Sequence, residues 1–188
     1  MTLEQQLATL SDCGINLDNG ITIEDMLYSF SREEYEKRPF DLVLFVLGIE
    51  VEREPWNRPF CSRVWNFDLE CITSTGDYTR IVKRLCQVAG MPDGLNNVRD
   101  FFDLQRAKAW LKYWVGDVER NLSAKITRTW ADPQTVSHVM RDIQQLDARR
   151  FYFKDNGQAM VLYYLDPDAA ATLNRLAHGT LQPALDDV

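Results

Sequence analysis

The sequence predicts an α+β fold: N-terminal helices followed by a mainly antiparallel sheet of hairpins with interspersed helices. Three observations carry that reading. Capped segments with helical apolar spacing crowd the first forty residues. Residues 63–73, RVWNFDLECIT, alternate apolar and polar side chains in the manner of a half-buried strand. The second half twice sets a hairpin before a helix that opens with Asp-Pro, at Asp132-Pro133 and Asp166-Pro167. No Pro/Ser/Gly-rich linker interrupts the chain, so a single domain over 1–188 is expected, with an acidic helical and strand part at 1–76, a hairpin–helix part at 77–180 and a loose tail at 181–188.

Taken in order, Leu3, Leu7 and Leu10 stripe one helix face, and Gly14 supplies the stop. Thr22 before Asp25 and Ser31 before Glu34 are N-cap signatures for two further helices, and Pro39 ends the second. The run FDLVLFVLG follows a capped helical region and is read as helix. The Pro-containing connection 54–60 leads into the alternating strand, where Trp65, Phe67, Leu69 and Cys71 share one face and Asn66, Asp68 and Glu70 the other. Residues 74–77 turn into an amphipathic helix over 77–90 that buries Ile81, Val82, Leu85 and Val88. A strand over 97–104 precedes a hairpin closed by Gly116-Asp117. In that hairpin Trp110, Lys112 and Trp114 alternate with Leu111, Tyr113 and Val115, which suits a central strand covered on both sides. The helix from Asp132 comes next, then a hairpin around KDNG and the helix from Asp166, which ends at Gly179.

Composition narrows the function classes. The chain has 188 residues, 45% hydrophobic and 26% charged, as soluble globular proteins do. Its longest apolar run, 42–49, is far short of the ~20 residues that span a bilayer. The first twelve residues lack the basic and apolar regions of a secretory leader, so a cytoplasmic protein without membrane contact is expected. Cys13, Cys61, Cys71 and Cys86 form no CxxC pair and are read as reduced core residues rather than zinc ligands. No nucleophile elbow, P-loop or dinucleotide fingerprint is present, and neither a metal nor an organic cofactor is expected. His138, mid-helix, and His178, near a helix C-terminus, have no nucleophile beside them in sequence.

The net charge of −7 is unevenly placed. Residues 1–76 carry 14 acidic and 6 basic side chains, whereas 77–188 carry 14 and 15. Such a field repels nucleic acid and draws basic protein surfaces. At its centre LGIEVEREPW sets Glu50, Glu52 and Glu54 at alternate positions, with Trp56 just beyond. If 49–54 is extended and pairs with 63–73, those glutamates share a face with Asp68 and Glu70. Like charges opposite one another across a strand pair are destabilising, and they ask for a cation or a basic partner unless they alternate in register and stay hydrated, as on a protective edge strand. Glu50, Glu52, Glu54, Trp56, Asp68 and Glu70 are therefore the candidate partner-binding residues, Trp56 serving as an aromatic anchor. The alternative is a metal-dependent hydrolase or nuclease built on the same carboxylates. It is weakened because Ile72 stands where such sites usually carry a lysine.

The segments FDLVLFVLG, RVWNFDLECI and WADP (130–133), in that order, resemble a poorly characterised bacterial family of immunity proteins from polymorphic or contact-dependent toxin systems. The likeness runs over about residues 1–145. It implies a non-enzymatic cytosolic protein that binds and neutralises a cognate toxin domain, a basic protein partner. It supplies no active-site residues.

Overall fold

The computed structural model describes residues 1–185 and is α+β as the sequence predicts. In chain order the elements are α1 (Leu3–Asp12), α2 (Ile23–Ser29), α3 (Arg32–Lys37), α4 (Asp41–Val46), β1 (Val64–Asp68), α5 (Asp77–Ala89), β2 (Asn96–Asp103), β3 (Lys108–Val115), β4 (Val118–Ser123), α6 (Pro133–Gln144), β5 (Arg150–Asn156), β6 (Ala159–Leu165), α7 (Pro167–Leu176) and β7 (Leu181–Pro183). They gather into two compact units, residues 1–67 with 149–184 and residues 68–148. The units do not follow the compositional division at residue 76.

In the first unit short helices are fixed at their starts by side chains that satisfy backbone N–H groups left open by the helix geometry. The Thr2 hydroxyl accepts from the Gln5 N–H at 3.3 Å, and the Gln5 side chain accepts from the Thr2 N–H at 3.0 Å. Ser31 and Glu34 repeat the exchange at 3.4 and 2.7 Å. Helices this short are not stable from propensity alone, so burial has to hold them. Gln6, fully buried, ties three of them together: its amide donates to the Tyr35 carbonyl at 3.0 Å and accepts from the Phe40 N–H at 2.7 Å. The Tyr35 hydroxyl donates to the Met26 carbonyl at 3.0 Å. These helices cover a sheet of order β1-β6-β5-β7, with β5 antiparallel to both β6 and β7. The apolar core runs through Leu3, Leu10, Met26, Tyr35, Val43, Leu44, Phe60, Val64, Val161 and Leu173.

Three sequence expectations need correction here. The strand read over 63–73 stops at Asp68, because the Asp68 carboxylate accepts the Glu70 N–H at 2.8 Å and turns the chain out of the ladder. Beyond that turn, Leu69 and Ile72 bond residues 129–131 of the second unit: the Ala131 N–H reaches the Leu69 carbonyl and the Ile72 N–H reaches the Thr129 carbonyl, both at 2.8 Å. The later hairpin pairs Asn156 with Ala159, so its turn is Gly157-Gln158 rather than KDNG. Residues 181–183, expected as tail, form β7, where Leu181 is buried and exchanges two 2.8 Å hydrogen bonds with the Asn174 side chain. The rest of the expected tail, 186–188, lies outside the described residues.

In the second unit α5 packs on β2 and α6 on β3. The antiparallel sheet has the order β2-β3-β4, closed by the expected turn with Val115 opposite Val118. Of the two faces of β3, Ala109, Leu111 and Tyr113 are buried while Trp110, Lys112 and Trp114 are only half-buried, so the strand is fully covered on one side alone. Trp110 stacks on Phe101 across the strands, and the Lys112 ammonium sits 5.4 Å from the Trp110 ring centre. Buried Asp142 accepts both arms of the Arg120 guanidinium at 2.9 and 3.0 Å and the Tyr113 hydroxyl at 2.7 Å. Burial, then that carboxylate, push the Tyr113 hydroxyl far above its ordinary pKa and keep it a donor.

Gly48 follows α4 where a Cβ would stand 2.7 Å from Val161 Cγ1 and 2.9 Å from the Asn66 backbone nitrogen. Its carbonyl accepts the Asn66 N–H at 2.9 Å, so the Asn66 backbone is held in place there, and the Val161 side chain is fully buried. Gly48→Ala should destabilise the protein by about 1–3 kcal/mol in urea unfolding, the usual range for overpacking. Gly157→Ala, whose Cβ meets nothing within 4 Å and whose only strain is φ +70°, should lose about 1 kcal/mol.

Candidate functional site

Residues 49–60 form a loop closed by a short two-sided ladder. The Val51 N–H donates to the Arg58 carbonyl at 2.8 Å, the Phe60 N–H donates to the Ile49 carbonyl at 3.1 Å, and Glu50 bridges Pro59. Val51 and Phe60, 2% and 1% exposed, root the loop in the core. The extended pairing of 49–54 with 63–73 is therefore not made: 49–51 is extended but pairs with 58–60, and β1 takes β6 as its neighbour. Alternation nevertheless survives at the start of the loop. Val51 points inward, and Glu50, Glu52 and Glu54 are exposed, as is Trp56 at 59%.

The loop holds two arginines among its three glutamates, and both turn toward Asp25. That carboxylate is 3% exposed. Arg53 reaches it through Nε at 2.9 Å and Nη2 at 2.8 Å, and Arg58 through Nη2 at 3.3 Å. Arg58 Nε also donates to the Pro55 carbonyl at 2.7 Å, bracing the bend from inside. Asp25 meanwhile completes the α2 cap, accepting the Thr22 N–H at 2.8 Å and its hydroxyl at 3.2 Å. Burial works against ionisation of Asp25, but the Thr22 N–H and the Arg53 guanidinium outweigh it and hold the carboxyl below its ordinary value. Both of the loop's arginines are thus engaged with Asp25, Arg53 with 38% of its side chain still exposed, while the three glutamates stand at the surface. The first unit carries 15 acidic and 10 basic side chains; residues 68–148 carry 11 of each.

Beside the glutamates lies an open apolar groove lined by Phe30, Phe45, Ile49, Val51 and Trp56, with Glu50 and Glu52 on its rim. Tyr28, 61% exposed, lies under the Arg53 guanidinium, which stands 5.9 Å from the ring centre.

Of the six residues expected to form one site, Glu50, Glu52, Glu54 and Trp56 share this loop. Asp68 and Glu70 belong to the second unit and have local partners, the Glu70 N–H for Asp68 and the Thr129 hydroxyl at 2.9 Å for Glu70. The strand pairing expected to bring five carboxylates onto one face is not made: 49–51 pairs with 58–60, and β1 ends at the Asp68 turn. Asp25, Arg53, Arg58, Phe30 and Phe45 are the residues that sequence reasoning missed. The cap signature marked Asp25 as a helix start, but its second role needs arginines about thirty positions away.

Among the described residues no group of three or more His, Cys, Asp or Glu side chains is arranged to hold a metal ion. All four cysteines are free thiols, and burial pushes Cys71 and Cys86 up to about 11. His138 is half-buried beside Asn121, Ser123, Gln134 and Thr135, and His178 is exposed just past α7. No helix among the described residues is long and apolar enough to cross a membrane. No family model, curated protein or solved structure matches the chain.

Because its folded pKa is lowered, Asp25 contributes stability that is present above the unfolded carboxylate value of about 3.9 and is lost as pH falls through the lower folded value. Asp25→Asn should therefore destabilise the protein by about 2–3 kcal/mol at neutral pH, since two guanidinium groups lose a buried partner. Denaturant unfolding followed down to pH 2 should also show a shallower acid slope in the variant than in the wild type. Equal slopes would mean that another carboxylate governs acid stability.

Proposed function

We propose that this chain is a non-enzymatic binding protein that docks a basic protein partner on the 49–60 loop, as an immunity protein docks the toxin domain it neutralises. One observation carries the reading: the loop's arginines are spent on buried Asp25, while Glu50, Glu52 and Glu54 stand exposed around an exposed tryptophan. Exposed like charges that lack local partners raise association rates with an oppositely charged surface, and an adjacent aromatic side chain supplies contact area once docked. The charge imbalance of the first unit extends that field beyond the loop. The resemblance of FDLVLFVLG, RVWNFDLECI and WADP to immunity proteins supports a toxin domain as the partner and the cytosol as the place of encounter. A hydrolase on the same carboxylates is the less favoured reading, because Asp68 and Glu70 are engaged locally.

The test begins with the gene's neighbourhood, where a cognate toxin domain would be encoded. Calorimetry of that domain against Glu50→Lys/Glu52→Lys/Glu54→Lys should show affinity reduced at least tenfold and a flatter dependence on salt, because exposed charge pairs are screened over about 10 Å at 0.1 M. Unchanged affinity and salt dependence would remove the loop from the interface.

A further inference from the structure

Resting on that docking reading, we infer that the groove beside the glutamates takes one apolar side chain from a partner segment that carries lysine or arginine on either side of it. The groove is lined by two aliphatic side chains, Ile49 and Val51, and three aromatic ones, Phe30, Phe45 and Trp56. Val51 is buried, Ile49 and both phenylalanines are half-buried, and Trp56 is 59% exposed. Trp56 thus leaves most of its ring in water, an arrangement that association relieves. The rim supplies the second half of the recognition. Glu50 and Glu52 flank Val51 in sequence and stand exposed on the edge of the groove, so an apolar side chain entering it brings its own chain neighbours within reach of two carboxylates. The only cations within the loop are Arg53 and Arg58, both bonded to Asp25, so the positive charge that answers the rim has to come from the partner.

The occupant is therefore amphipathic over a very short span: an apolar residue between cations. A purely basic surface satisfies the rim and leaves Trp56 wet. A purely apolar segment covers Trp56 but desolvates Glu50 and Glu52 without a counter-charge, an unfavourable exchange. Satisfying both terms at once is what separates this segment from basic surfaces in general.

Two capped pentapeptides test this, KKLKK and KKGKK, titrated into the full chain labelled with nitrogen-15, with the Trp56 indole signal assigned through Trp56→Phe. KKLKK should shift the Trp56 indole and the Phe45 and Ile49 amides, and should saturate at about fivefold lower concentration than KKGKK. Trp56→Ala, at an exposed position, should bring the two peptides level while retaining the shifts at Glu50, Glu52 and Glu54. Equal binding of both peptides to the wild type, with shifts confined to the glutamates, would overturn the groove and leave the acidic docking surface standing. No shift from either peptide would overturn both. Dilution-dependent shifts at Trp56 and Phe45 without peptide would mean that a second copy of the chain fills the groove, which would also overturn the inference.

Discussion

A buried carboxylate at the start of α2 organises the loop over residues 49–60. Asp25 has to be satisfied where it lies, since an isolated ionised carboxylate in a protein interior is untenable. Its cap contacts with Thr22 satisfy part of its acceptor capacity, and the remainder draws in Arg53 and Arg58 from a loop that is remote in sequence. That one requirement fixes the direction of the loop. Both arginines bond Asp25, Val51 and Phe60 are buried, and Glu50, Glu52 and Glu54 stand exposed. Helix capping, loop closure and surface charge are consequences of the same few hydrogen bonds.

The remaining buried polar groups follow a similar rule within each unit. Gln6 links α1 to the segments around Tyr35 and Phe40, and Asp142 gathers Tyr113 and Arg120 from the neighbouring sheet. Groups of this kind are expensive to leave unsatisfied, so each restricts the packing to one arrangement. The cost of removing one partner is correspondingly larger than the net worth of the pair. Gln6 and Asp142 each take these hydrogen-bond partners from within their own unit.

Local signals made most of the fold legible. Thr22, Ser31, Asp132 and Asp166 cap helices through contacts within three residues of themselves, so a linear reading finds them. Features set by distant partners were not legible. The alternation through 63–73 is real, but Asp68 captures the Glu70 N–H, a choice that side-chain pattern does not encode. Leu181 looks like part of a tail until Asn174 and β5 claim it. At the candidate site the outward glutamates and Trp56 were readable from alternation and composition. The pairing of Glu50 with Pro59 in place of the 63–73 strand was not, because it depends on which segment residue 50 chooses as neighbour. The groove is the least legible feature, since Phe30 and Phe45 reach it from α2 and α4 ends that only the folded chain brings alongside the loop.

Everything proposed for the loop depends on both arginines being held by Asp25. The guanidinium N–H signals that make those contacts, Nε–H of Arg53 and Nη2–H of Arg58, observed by proton–nitrogen correlation, report on that directly. The account predicts that both signals persist with slowed solvent exchange at neutral pH, and that Asp25→Asn speeds exchange at both. The Nε–H of Arg38, whose side chain is 80% exposed, should exchange fast in either protein. Arg53 and Arg58 signals that behave like that of Arg38 in the wild type would contradict the account, since free arginines would neutralise the glutamates beside them.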